Sequence, residues 1–112
     1  MEMMNIPAEA EYLYDQAREL SNKGNPKDSL RYLKEAITID PQFSDAYCEM
    51  GNCQDFLGHN EESLRAYSQA IELDPTHADA WFNKGMALKK MGRLDEARQC
   101  IEKAIALYDG LE

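Results

Sequence analysis

The stretch Ala36–Pro41, AITIDP, is repeated almost unchanged as AIELDP at Ala70–Pro75. The two copies start 34 residues apart, since 70 − 36 = 34. Rows of 34 residues that start at Ala10, Ser44 and Ala78 align the rest of the chain without an insertion or a deletion. The positions shared between rows are mostly small or aliphatic, which indicates that packing restricts them. The chain is therefore predicted to contain three copies of one structural unit.

Each row is predicted to hold two helices joined by a short turn. Apolar residues recur at three- and four-residue steps on both sides of a glycine column formed by Gly24, Gly58 and Gly92. Glycine suits such a turn because a left-handed backbone is unstrained without a Cβ. Asp40-Pro41 and Asp74-Pro75 are predicted to end the second helix of rows one and two, because proline cannot continue the hydrogen-bond ladder.

Two short motifs are typical of helix starts. Asn25 followed by Pro26 predicts a capping residue with proline at the first helical position. Thr76 and Asp79, three residues apart, resemble a capping box. These motifs place the start of the second helix of row one at Pro26 and the start of the first helix of row three just after Thr76.

Charge and hydropathy exclude several kinds of partner. The 112 residues include 12 basic and 21 acidic ones, for a net charge of −9, which would repel nucleic acid and anionic membrane surfaces. No run of 18 apolar residues exists, and Met1–Asn5 lacks the basic and apolar segments of a targeting signal. We expect a cytoplasmic protein with no nucleic-acid or membrane partner.

Catalysis and metal binding are not predicted. Cys48, Cys53 and Cys100 form an odd set without a CxxC pair, so we expect reduced thiols rather than disulfides or a zinc site. His59 and His77 fall in or beside the predicted turns, without an acid and nucleophile nearby, and are expected to be solvated. With no glycine-rich phosphate loop or metal motif, the sequence predicts a protein that is not an enzyme and has no cofactor.

The columns of the three rows resemble the tetratricopeptide repeat, whose pattern alternates large and small residues and ends in proline. The matching residues are Leu13, Ala17, Ser29, Leu33, Ala36 and Pro41 in row one; Tyr47, Gly51, Ser63, Tyr67, Ala70 and Pro75 in row two; and Trp81, Gly85, Ala97, Ile101, Ala104 and, in place of proline, Asp109 in row three. The resemblance implies an all-α fold of three antiparallel helix-turn-helix repeats, stacked as a right-handed α-solenoid. It divides the chain into a lead-in over residues 1–9 and repeats over 10–43, 44–77 and 78–110.

This resemblance also implies a concave groove, lined by the first helix of each repeat, that binds a peptide or a partner segment. The residues at the groove positions that we single out are Tyr14, Arg18, Asp45, Cys48, Glu49, Asn52, Phe56, Asp79, Phe82, Asn83 and Met86. The wider groove set adds Glu11, Asp15, Ser21, Asn22, Asp55, Lys89 and Lys90, so that six groove residues are acidic and three are basic. The predicted groove is acidic with apolar anchors, which favours a partner carrying Lys or Arg beside an apolar residue. A plain solvated helix face is the alternative.

Some members of this family hold the carboxylate at the end of a chaperone tail with lysine, arginine and asparagine at fixed groove positions. The corresponding residues here are Tyr14, Arg18, Glu49, Asp79 and Asn83. A frame shifted by one repeat recovers only Asn52 and Asn83, with Cys48 in place of the lysine. Glu49 and Asp79 would repel an anion, so no carboxylate clamp is predicted.

The alternative function is a structural segment of a longer helical array or a self-associating scaffold. The third row ends at the Asp109–Glu112 stretch, without the polar capping helix that repeat stacks usually carry. We therefore expect Ala104, Leu107 and Tyr108 to be partly exposed and to support weak self-association through this end. Leu111-Glu112 is typical of a cloning remnant, which would make the chain a piece of a longer protein.

Overall fold

A computed structural model describes residues 6–111, which form six α-helices and no strand. The helices are α1 (Ala8–Asn22), α2 (Pro26–Ile39), α3 (Ser44–Phe56), α4 (Asn60–Leu73), α5 (Ala78–Lys90) and α6 (Leu94–Tyr108). The predicted alternation of helix, turn and helix is confirmed. Residues 1–5 of the expected lead-in and Glu112 lie outside the described residues. None of the six helices is long and apolar enough to cross a bilayer.

The helices stack in pairs. α1 packs along α2, α3 along α4 and α5 along α6, while α2 contacts α3 and α4 contacts α5 to join successive pairs. The first helices also contact each other, α1 with α3 and α3 with α5, so they form one continuous face. This arrangement is the predicted helical repeat solenoid, and it places the first helices side by side where a groove was expected.

Glycines at the turns have the backbone conformation that the sequence predicted. Gly24, Gly58 and Gly92 have φ angles of 78°, 79° and 77°, and nothing lies within 4 Å of the position that a Cβ would occupy. Glycine is required there by the left-handed backbone alone, because space is available.

Two other glycines serve close packing. A Cβ on Gly51 would lie 2.5 Å from the ring carbons of Tyr67, so α3 and α4 approach each other through the glycine. A Cβ on Gly85 would lie 2.7 Å from the Ile101 side chain, which is the equivalent contact between α5 and α6. The small residues of this column therefore set the distance between the helices of a pair.

The alanine column is buried in all three repeats, since Ala36, Ala70 and Ala104 are each 0% exposed. The expectation that Ala104 is partly exposed is therefore wrong. α5 is the one helix that α6 contacts among the described residues, so Ala104 must face its partner within the repeat rather than the end of the stack. Tyr108, in contrast, is exposed as expected, and Leu107 is half-buried.

One of the two predicted capping motifs is observed. Asn25 caps α2, accepting a hydrogen bond from the Asp28 backbone at 3.3 Å, and Pro26 opens the helix. The capping box predicted at Thr76 is absent, because the Thr76 hydroxyl donates instead to Asp74 at 2.7 Å. His77 is the residue that caps α5.

Candidate functional site

The eleven groove residues chosen from the sequence all lie on the first helices of the three repeats. Two are on α1 (Tyr14 and Arg18), five on α3 (Asp45, Cys48, Glu49, Asn52 and Phe56) and four on α5 (Asp79, Phe82, Asn83 and Met86). Because α1, α3 and α5 are neighbours, residues that are 31 to 35 positions apart in sequence come into contact.

An amide network lies at the contact between α3 and α5. The Asn83 side-chain amide donates to the Asn52 carbonyl oxygen at 3.1 Å and approaches the Cys48 sulfur at 3.9 Å. The Tyr67 hydroxyl, from α4, donates to the same Asn52 oxygen at 2.7 Å. Both lone pairs of that oxygen are thus engaged, which fixes the orientation of the Asn52 side chain.

The outer atoms of this network remain available. Within residues 6–111, the Asn83 carbonyl oxygen has no hydrogen-bond partner, and the Asn52 amide nitrogen reaches only Glu49, at 3.5 Å. The two asparagines therefore present one acceptor and one donor side by side. Both residues are half-buried, so neither side chain is fully enclosed by the protein.

Tyr67 was identified from the sequence as a packing residue, and its polar role was missed. Its side chain is 2% exposed, and burial raises the pKa of its phenol far above the ordinary value, so it stays a neutral donor. Leu33 and Ile101 occupy the same column in the other repeats. A buried hydroxyl needs a hydrogen-bond partner. A tyrosine in a column that is otherwise apolar was therefore the sequence feature from which this polar role could have been predicted.

The three cysteines are free thiols, as predicted, and all three are buried. Burial, followed by the charge of Glu49, raises the pKa of the Cys48 thiol to about 12. Burial also raises the pKa values of Cys53 and Cys100. Cys48 is thus a protonated thiol in the groove wall rather than a nucleophile.

Three of the six predicted groove carboxylates already have partners in the chain. Asp45 lies 2.7 Å from the Nε2 atom of His77, and Asp55 pairs with Lys90 at 2.8 Å. Asp79 accepts a hydrogen bond from the Tyr108 hydroxyl. Burial and this hydrogen bond raise the pKa of Tyr108 to about 12.

The other three carboxylates, those of Glu11, Asp15 and Glu49, form no ion pair within the part of the chain that the structure describes. Two of them lie on α1 and one in the middle of α3. These three carboxylates therefore carry uncompensated charge on α1 and α3, and Asp79 on α5 also keeps its charge because its partner Tyr108 is a neutral hydroxyl.

His77 differs from its prediction. Its side chain is 12% exposed rather than solvated, because one ring nitrogen accepts a hydrogen bond from the Ala80 backbone while the other contacts Asp45. The hydrogen-bonding contact with the Asp45 carboxylate is the main cause that raises the pKa of His77, and His77 in turn lowers the pKa of Asp45. His59, in contrast, is exposed as expected and contacts Gln54 at 2.7 Å.

Three apolar side chains of the groove set remain open to solvent. Phe56 is 73% exposed, Phe82 38% and Met86 39%. Tyr14 is different, because its ring packs on Phe43 with centroids 5.0 Å apart and lies beneath the Arg18 guanidinium. Burial is the main cause that raises the pKa of Tyr14 to about 12. Tyr14 thus belongs to the packed layer, and the available apolar surface is on α3 and α5.

No cluster of three or more His, Cys, Asp or Glu side chains in residues 6–111 could hold a metal ion. The polar groups of the groove are amides, carboxylates and cations at helix positions.

Family models agree with this architecture. Models described as tetratricopeptide repeat match residues 10–43, 44–77 and 66–99, the last of these overlapping the second match. Together they span residues 10–99, so the chain belongs to the tetratricopeptide repeat family, a family of protein-interaction modules. The chain has no match among curated proteins.

Solved structures of three proteins share the fold. The second TPR of Spaghetti (RPAP3), bound to the HSP90 peptide SRMEEVD, has a TM-score of 0.85 at 22% identity over 89% of this chain and 93% of that one. MamA has a TM-score of 0.84 at 27% identity, covering 90% of this chain and 59% of that one. The translocator chaperone SycD of Yersinia enterocolitica has a TM-score of 0.86 at 21% identity, covering 90% of this chain and 76% of that one.

Proposed function

We propose that this protein binds an extended segment of a partner protein in the groove of α1, α3 and α5, without catalysis. The observation that carries the proposal is the fixed pair of amides on Asn52 and Asn83. An extended peptide presents backbone C=O and N–H groups that match this donor and acceptor. Because Tyr67 and Cys48 already hold the amides in place, little side-chain freedom is lost on binding.

The apolar surface beside this pair supplies most of the expected affinity. Phe82 and Met86 on α5 and Phe56 on α3 can each cover an apolar side chain of the peptide. Charge contacts with the unpaired carboxylates would each contribute at most about 1 kcal/mol and would weaken with salt. We expect a Kd in the micromolar range, about −8 kcal/mol, for a segment that carries Lys or Arg beside an apolar residue.

The peptide bound by the Spaghetti domain is acidic, and we do not expect such a tail to be the partner here. The positions at which clamp members carry cations hold Tyr14, Asp79 and Asn83 in one frame and Cys48 in the shifted frame. Glu49 has no ion pair among the described residues and would repel a terminal carboxylate. The three free thiols are consistent with the reducing cytoplasm as the place of binding.

The test compares two fluorescent peptides by anisotropy at low and high salt. The first, called the basic-apolar peptide, is capped at both ends and alternates Lys with Leu or Phe; the second is SRMEEVD with a free carboxylate. We expect wild type to bind the basic-apolar peptide more tightly, and Glu49→Lys combined with Asp79→Lys to reverse that order. Tighter binding of SRMEEVD by wild type would contradict the proposal.

Self-association is a second candidate, favoured by the exposed surface of α6. Ile105 is 51% exposed, whereas Ile37 and Ile71 in the same column are half-buried against the core. Tyr108 and Leu111, at 54% and 74% exposed, extend this patch. We expect a sedimentation coefficient that rises with concentration in wild type and is constant in Ile105→Glu. A strict monomer at high concentration would exclude this candidate.

A further inference from the structure

A cleft of about 180 Å³ opens between repeats 1 and 2, at the end of the groove near the turn of repeat 1. It is lined by Ser21, Pro26, Glu49, Asn52, Cys53 and Phe56. The four α3 residues of this set have helical i, i+3, i+4 and i+7 spacing, so they form one continuous wall. The opposite wall consists of the end of α1 and the start of α2.

The polar groups at the floor of the cleft form hydrogen bonds with one another. The Ser21 hydroxyl donates to Ser29 at 2.9 Å, and the Cys53 sulfur lies 3.3 Å from both hydroxyls. Pro26 is buried beside them, and the Phe56 ring stands 73% exposed at the side. The lower part of the cleft therefore offers apolar contact rather than open hydrogen-bonding groups.

Glu49 is the one charged residue in the lining, and no basic residue lines the cleft. Its carboxylate reaches only the Asn52 amide, at 3.5 Å, and has no ion pair within residues 6–111. Arg18 is a competing cation on α1, but its guanidinium lies over the Tyr14 ring, 5.7 Å from the ring centre, where it also lowers the pKa of Asp45. The negative charge at the cleft is thus uncompensated.

We propose that this cleft binds a lysine side chain of the peptide in the groove, an assignment that rests on the proposed function. The four-carbon stem of lysine would cover Phe56 and Pro26, and its ammonium group would lie at Glu49. Liquid water occupies about 30 Å³ per molecule, so the cleft holds the volume of about six waters, enough for one long unbranched side chain. The cleft lies next to Asn52, so a side chain in it belongs to a residue adjacent to the backbone held by the amide pair.

The test uses the basic-apolar peptide with each lysine replaced in turn by norleucine or acetyl-lysine. Both replacements keep the stem and remove the charge. At one lysine position of the peptide, we expect both replacements to weaken binding to the wild-type protein about fivefold at low salt. The Glu49→Gln variant should bind peptides with lysine, norleucine or acetyl-lysine at that position with equal affinity. Asp15→Asn, which removes a groove carboxylate outside the cleft, should keep the lysine preference.

A second variant tests the apolar wall. Phe56→Ala should weaken the lysine and norleucine forms by a similar factor, because both stems lose the same contact. A lysine preference that persists in Glu49→Gln, or that is absent at every position in wild type, would overturn the lysine site. If peptides still bind and Phe82→Ala weakens them, the proposed groove survives that result; if no peptide binds wild type, both proposals fail.

Discussion

The Nε2 atom of His77 lies 2.7 Å from an Asp45 carboxylate oxygen, while Nδ1 of the same ring accepts the Ala80 backbone N–H at 3.2 Å. The His77 side chain thus caps α5 and connects the start of α5 to the start of α3. Repeats 2 and 3 are joined at this point by a titratable contact, at the end of the groove that also contains Asp79.

Protonation of His77 is expected to stabilise the fold. Its pKa is raised above 6.5, first by Asp45 and also by the charges of Asp74 and Asp79, so its contribution is fully present below pH 6.5 and is lost as pH rises through the raised value. The pKa of Asp45 is lowered below 3.8, so its contribution is present above pH 3.8 and is lost as pH falls through the lowered value. Stability should therefore be highest between these limits.

Two features limit how much the protonation of His77 stabilises the fold. The Asp45 side chain is 56% exposed, and a protonated Nδ1 cannot accept the Ala80 N–H. We expect a loss of about 1 kcal/mol or less between pH 5.5 and pH 8.5, measured by urea unfolding. His77→Asn, which can still cap the helix, should flatten this profile, and exposed His59→Asn should not. The same slope in wild type and His77→Asn would exclude the contact as its cause.

Gly51→Ala is expected to destabilise the fold more than Gly58→Ala. The new methyl group would lie 2.5 Å from the Tyr67 ring, which must shift, at a cost of about 1–3 kcal/mol. At Gly58 there is space, and the left-handed backbone with φ of 79° costs about 1–2 kcal/mol. Because the Tyr67 ring also holds Asn52, only Gly51→Ala should weaken peptide binding as well. Equal affinities in the two variants would argue against this link.

Tyr67→Phe removes the hydroxyl that positions Asn52 while keeping the ring. We expect a loss of about 0.5–1.5 kcal/mol in unfolding free energy and a several-fold weaker affinity for the basic-apolar peptide. Tyr47→Phe is the control, because Tyr47 packs against the same core cluster, and it should leave affinity unchanged. A wild-type affinity in Tyr67→Phe would show that the orientation of the amide pair does not matter for binding.

The thiols are expected to react slowly in the folded protein. Cys48, Cys53 and Cys100 are buried, and burial raises the pKa of each, so the thiolate is scarce at neutral pH. A disulfide-exchange reagent should label three thiols only after denaturation. Rapid labelling of one thiol under native conditions, or an intramolecular disulfide in the mass of the untreated protein, would contradict this expectation.

The sequence was sufficient to predict the fold because packing of a repeat restricts single positions. Two kinds of constraint act at these positions: the local backbone conformation and contact with one neighbour at a fixed spacing. They account for the turn glycines, for buried alanines such as Ala36 and Ala70, and for the close approach of the helices at Gly51. The end of the stack was predicted less well, since Ala104 is buried by α5 alone.

Side-chain partners in the groove could not be predicted in the same way. Whether Asp45, Asp55 or Asp79 is free depends on which side chain of the next helix or turn reaches it, and these partners lie 29 to 35 residues away. Composition therefore overstated the number of carboxylates that are free to contact a partner. The amide pair was anticipated as two separate asparagines, but its orientation depends on the hydroxyl of Tyr67 from α4.

Peptide binding in the groove is tested most directly by a ¹H–¹⁵N correlation titration of the labelled protein with the basic-apolar peptide. We predict that shift changes concentrate on α1, α3 and α5, and that the side-chain amide resonances of Asn52 and Asn83 are among those that move most. The α6 patch around Ile105 and the outer residues of α2 and α4 should change little. Changes confined to α2, α4 or α6, with the two asparagine amides unmoved at saturation, would contradict the groove as the binding site.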